Sequence, residues 1–108
     1  MSGGHFDYNQ YVVRDIADQL ERDILRNNED YRRYTKATIN EMITTLCALR
    51  VCESCLERID YLLSGDDSEA TFRDRLSQDM LSVLDRLEQA NINFKEIVAT
   101  APEEIEYD

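Results

Sequence analysis

The sequence predicts an all-α protein, and three observations carry that expectation. The 108 residues hold one Pro and three Gly, too few turn formers for many short strands. Apolar side chains recur at steps of three and four residues over three long stretches instead of alternating. Helix start and stop residues fall between those stretches. With 43% hydrophobic and 32% charged residues, the chain has enough apolar surface for a core and more charge than the ordinary share of about 25%. The expected architecture is an antiparallel three-helix bundle with a long central helix and a short C-terminal helical appendage. It spans 1–108 as a single domain, with 1–6 and 103–108 as flexible tails.

The first helix is expected to start at Asp7, which with Gln10 forms a capping box, while Phe6 can staple onto Tyr11. Val13, Ala17, Leu20 and Ile24 give its apolar stripe, with Val12 and Ile16 beside it, until Asn27 and Asn28 interrupt it. The second helix is expected to begin between Asn28 and Thr38, where Thr38 and Glu41 offer another box, and to stop at Ser64-Gly65. It carries two stripes. Met42, Leu46, Leu49, Cys52, Leu56, Ile59 and Leu63 form one, and Ile39, Ile43, Cys47, Val51, Cys55 and Leu62 the other, so it should sit between neighbours on both flanks. The third helix is expected to open with Asp66 or Asp67 as cap, Glu69 completing the box. Phe72, Leu76, Met80, Val83, Leu87 and Ala90 form its stripe, widened by Leu81 and Leu84. Asn91 should end it, leaving Asn93 and Glu96 to cap a short last helix before Pro102.

Net charge of −11 argues against duplex nucleic acid as a partner, since a duplex binder releases counterions through a basic face. The charge is unevenly placed. Residues 1–30 and 59–108 are acidic, whereas 31–58 carry a basic excess. No apolar run is long enough to cross a membrane and the amino terminus lacks the pattern of a secretory leader, so the expected location is cytoplasmic. Three cysteines, Cys47, Cys52 and Cys55, cannot all pair within one chain and suit a reducing compartment.

The opening MSGGHFDY and the segment Arg58-Ile-Asp-Tyr-Leu-Leu-Ser-Gly-Asp-Asp-Ser-Glu69, followed by Phe72, resemble small uncharacterised proteins of phages, prophages and bacteria. The resemblance covers both ends of the expected helical hairpin and leaves the region from about Tyr31 to Ala48 loosely constrained. It implies a phage-type accessory protein that acts on host defence or host machinery by binding rather than by catalysis.

Each candidate chemical group has an ordinary structural explanation beside it. Cys52-x-x-Cys55 sits mid-helix on an apolar stripe, where cysteines serve as small hydrophobes, and a zinc site would lack its four ligands. His5 has no identified catalytic partner. Gly65-Asp66-Asp67 is explained as a helix stop and start. No cofactor or metal is expected and no poised acid, base or nucleophile set is present, so the chain is read as non-enzymatic. The remaining candidate is the acid-free patch Tyr31, Arg32, Arg33, Tyr34 and Lys36, with Arg26 nearby. Arginine forks hold phosphate, helix amides add to them, and tyrosines can stack on a base. Alternatively, these side chains pair with local acids and cover the end of the bundle.

Two functions follow. The first is sequestration of a phosphorylated nucleotide-like signal of host defence by the Tyr31–Lys36 cluster, with a homo-oligomer completing the pocket. The second is an acidic protein-directed inhibitor or nucleic-acid mimic that binds a basic host protein through 59–108.

Overall fold

The structure is a computed structural model that describes residues 3–29 and 33–105. Among the described residues it is all-helical: α1 spans Gln10–Leu25, a 3₁₀ turn Asn27–Glu29, α2 Lys36–Leu63 and α3 Glu69–Thr100. Helix α2 packs against both α1 and α3. No helix is long and apolar enough to cross a membrane.

Local chemistry sets most helix ends, though not always with the expected residue. The Thr35 hydroxyl accepts from the Thr38 amide and starts α2, three residues before the expected cap. Ser68 does the same for α3 through the Thr71 amide, in place of Asp66 or Asp67. Both aspartates are engaged elsewhere: Asp66 accepts from Gly3 N–H, and Asp67 is shared by Arg58 and Arg75. Gly65, with φ of 80°, ends α2 as expected, because only glycine takes that left-handed conformation without strain. Asp7 is not a cap. It and Tyr8 take positive φ (53° and 62°), and α1 begins only at Gln10.

The expected break at Asn91 does not occur, and among the described residues there is no separate C-terminal helix. Asn91 and Asn93 are exposed, while Ala90 and Phe94 are buried and Val98 packs against the same cluster. The apolar step of four therefore runs unbroken through the asparagines, and core contact outweighs their modest helix propensity.

The apolar core is gathered at one end. Ala17 and Ile24 of α1, Ile39 and Leu46 of α2, and Ala90 and Phe94 of α3 form it, with Leu20, Met42, Ile43, Leu49 and Val98 packed around. Toward the other end the buried positions of α2 are charged: Arg50, Glu53 and Asp60 are each no more than 6% exposed. The stripe expected to be buried there is not. Cys52 is exposed and Leu63 is 53% exposed, as are Val12 and Ile16 on α1. The reason is register: Ile39, Leu46, Glu53 and Asp60 lie seven residues apart on one face, and α1 offers matching polar groups.

Two substitutions check this arrangement by urea unfolding. Phe94→Ala should cost about 3–5 kcal/mol, the usual range for truncating a buried aromatic. Asn93→Ala should change stability by no more than about 0.5 kcal/mol, as at an ordinary surface position, whereas loss of a true cap would cost about 1 kcal/mol.

Candidate functional site

The Arg/Tyr segment is held against the carboxy-terminal end of α3. Asn27, buried in the 3₁₀ turn, bonds Tyr34 twice: its Oδ1 accepts from the Tyr34 amide at 2.9 Å and its Nδ2 donates to the Tyr34 carbonyl at 3.1 Å. Asn28 donates to the Ile97 carbonyl and the Thr100 hydroxyl. Arg33 then donates through Nη2 to the Thr100 carbonyl at 2.9 Å, at the negative end of the α3 dipole, where a cation is favoured. Lys36 pairs with Glu103 at 2.6 Å, and its amide donates to the Pro102 carbonyl at 2.9 Å. Glu103, expected in a flexible tail, is thus drawn into a contact.

Of the predicted site residues, Arg33 and Lys36 both bond the end of α3 and its following turn. Tyr34 is half exposed, and Arg26 ends α1 with its side chain exposed. Tyr31 and Arg32 lie outside the described residues. At the start of α2, the amides of Lys36 and Thr38 are already bonded to Pro102 and Thr35. A phosphate here would compete with existing partners for these donors.

A second polar centre was not foreseen. Asp60, 2% exposed on the last turns of α2, receives the amides of Gly4 (3.0 Å) and Phe6 (3.2 Å) and the Gln10 carboxamide (3.3 Å). Gly3 N–H bonds Asp66 at 2.6 Å and His5 N–H bonds the Ser64 hydroxyl at 3.1 Å. The amino-terminal segment expected as a tail is therefore tied down from Gly3 onward. Gly3 and Gly4 have φ of 85° and 106°, and a Cβ on Gly3 would collide with the Asp60 carboxylate. Burial alone would raise the Asp60 pKa, but the amides of Gly4, Phe6 and His5 and the Gln10 side chain outweigh it, leaving the pKa below its usual value.

Beside it, Arg50 lies 2% exposed between Asp18 (2.8 Å), Glu21 (3.8 Å) and Glu53 (3.9 Å). Arg14 bonds Glu53 and reaches Glu57 at 3.7 Å, and Arg86 of α3 reaches Asp18 at 3.7 Å. Arg14, Arg50 and Arg86 line a cavity of about 190 Å³ together with Glu53, Ser54 and Glu57. Both Nη atoms of Arg50 lack an aligned hydrogen-bond acceptor. These arginines were not singled out from the sequence. Only the seven-residue spacing of Leu46, Glu53 and Asp60, continuous with Ile39, hinted that this face of α2 turns inward.

The cysteines are not uniformly buried: Cys47 and Cys55 are intermediate and Cys52 is exposed. Burial, reinforced by Cys52 and Asp79, raises the Cys55 pKa, which disfavours its thiolate.

Comparison of the chain with protein-family models, with curated proteins and with solved structures returns no match.

Because the Asp60 pKa is depressed in the folded protein, its contribution is fully present above the unfolded carboxylate value, about 3.9. That contribution is lost as pH falls through the folded value. Asp60→Asn should lower the melting temperature at pH 7 and narrow the gap to wild type on acidification below about pH 4, as followed by circular dichroism. Removing one partner of a buried ion pair typically costs about 3–5 kcal/mol, so Arg50→Ala should be that much less stable in urea unfolding.

Proposed function

We propose that the chain is a non-enzymatic protein-binding module that engages a basic partner through the outer face of α3. The observation that carries this reading is the grouping of Asp74, Leu81 and Asp85 on the side of α3 turned away from the core. Leu81 is 70% exposed, and Asp85 is exposed and makes no ion pair among the described residues. An exposed apolar anchor flanked by exposed carboxylates, Asp74 bonded only by the Gln78 carboxamide among the described residues, fits a basic protein surface, where acids steer the encounter and the apolar contact holds it. The net charge of −11 adds long-range attraction for such a partner.

The pairings between helices support an antiparallel bundle around α2 as the rigid carrier of this face. Gln10, Arg14 and Asp18 meet Asp60, Glu53 and Arg50 in turn. Arg58 meets Asp79 near one end of the hairpin, and Lys36 meets Pro102 at the other. The phage-type resemblance would make the partner a host protein and the site of action the cytoplasm.

One observation favours a second reading, sequestration of a small phosphorylated or carboxylated ligand. Arg50, ion-paired with Asp18 but with neither Nη in an aligned hydrogen bond, lines a cavity with Arg14 and Arg86. That cavity, rather than the segment ending at Lys36, has a buried guanidinium to offer an anion.

Affinity capture from a bacterial lysate at low and high salt separates the two. A basic protein retained at low salt, released by salt, and lost with Asp74→Asn/Asp85→Asn or Leu81→Ala but not with Arg86→Ala supports the first. Retention indifferent to the α3 substitutions would exclude it. A melting-temperature rise with a phosphorylated nucleotide, abolished by Arg86→Ala, would support the second.

A further inference from the structure

We propose that the open face of the α2/α3 pair is covered by a second copy of this chain, so that the protein is a homodimer joined along these helices. The second apolar stripe of α2 is unfinished in one copy. Ile43, Cys47, Cys55 and Leu62 are only half-buried and Val51 is 37% exposed, although α2 already lies between two helices. Helix α1 covers the face that carries Arg50, Glu53 and Asp60, and α3 closes this stripe along a single edge. What remains is an apolar groove of about 720 Å³, lined by Ile43, Cys47, Leu84, Leu87, Ile92 and Val98. Leu84 and Ile92 stand at its rim, 61% and 62% exposed.

The surface area points the same way. The chain exposes 7471 Å², whereas a folded monomer of this mass exposes about 6,200 Å². The excess, about 1,300 Å², exceeds the roughly 800 Å² that each partner contributes to a standard interface. It reflects a flat body of 54 × 25 × 16 Å, whose thin dimension leaves little interior.

Charge selects a second copy over other occupants. Two copies of a chain with net charge −11 repel unless they meet where charge is locally balanced. This groove has one acid and one base in its lining, Glu88 and Lys95. They lie two turns apart on α3. A twofold axis crossing α3 between them sets each Glu88 opposite Lys95 of the other copy and brings Leu84 beside Ala99, the same contact made twice, as a twofold interface requires. Asp74 lies beyond the stretch where the two α3 helices overlap, and the dimer is argued from the α2/α3 groove alone, so it does not depend on the partner reading above.

Sedimentation of the full chain at micromolar concentration tests the proposal. Wild type should sediment at twice the 12.6 kDa chain mass. Leu84→Arg should sediment as a monomer with unchanged helix content, since that side chain is largely exposed in one copy. Glu88→Lys should weaken association at least tenfold, and Glu88→Lys with Lys95→Glu should restore it. A monomeric wild type would overturn the proposal. So would a dimer indifferent to Leu84→Arg, which would move the interface to the exposed Val12 and Ile16 of α1.

Discussion

The burial of charge along one face of α2 constrains the rest of the structure. Arg50, Glu53 and Asp60 occupy positions where an amphipathic helix ordinarily carries leucine, and each lies almost wholly out of water. A buried charge without partners costs several kcal/mol, so this face can close only against a surface that answers each group. Helix α1 answers Arg50 with Asp18 and Glu53 with Arg14, and the Gly3–Phe6 amides with Gln10 answer Asp60. A slip of one turn would take Asp60 away from its Gln10 partner and Glu53 and Arg50 away from the Arg14 and Asp18 contacts at 2.5 and 2.8 Å. The polar face thus fixes the register of α1 on α2, a task that an all-leucine seam would leave loosely specified.

The molecule consequently has two unlike ends. Around Ile24, Ile39, Leu46 and Phe94 the helices are held by apolar contact, which is forgiving of direction. Around Asp60 they are held by a small set of directional bonds, several of them from bare backbone. The two glycines belong to this second end for a steric reason, since the amides approach the carboxylate too closely for a Cβ at Gly3. The Arg/Tyr segment sits at the apolar end, where Asn27, Asn28, Arg33 and Lys36 bind the last turn of α3 and the turn beyond it. Its basic character suits that place, because exposed carbonyls at a helix end attract cations. An acidic chain thus has a structural use for its one basic stretch.

Surfaces follow from the same division. The side of α2 facing α1 is completed within one copy by matched charges. The side facing α3 is apolar and only partly covered, because two straight helices meet along a line and cannot enclose a stripe that wraps a third of α2. The outer face of α3 adds carboxylates, Asp74 and Asp85, around the exposed Leu81. Protein contacts are consistent with both faces, and the exposed side chains at their rims, Leu81, Leu84 and Ile92, are not part of the core of one copy.

The sequence by itself determined the fold class, the stop of α2 at Gly65 and the inward face of α1 at Ala17 and Ile24. Each follows from spacing or from local chemistry within a few residues. Of the stripe expected on α3, however, only Ala90 joins the core, while Leu81 and Leu84 are exposed and Phe94 takes the inward place. The sequence could not determine which stripe of α2 is buried, because Leu56 and Leu63 outrank Glu53 and Asp60 on any hydrophobic scale until Arg14 and the Gly4 amide are known to meet them. The first and third helix starts were displaced for the same reason: Asp7 lies beyond the clamp in a left-handed turn, and Asp66 and Asp67 serve distant donors instead of their own helix. Asn91 read as a break because propensity is local, while the contact of Phe94 with α2 that carries α3 through it is not. The Arg/Tyr patch was legible as basic and anion-seeking, but the tertiary structure decided that Arg33 meets a carbonyl of α3. That contact spans 67 residues of chain, and no local pattern encodes it.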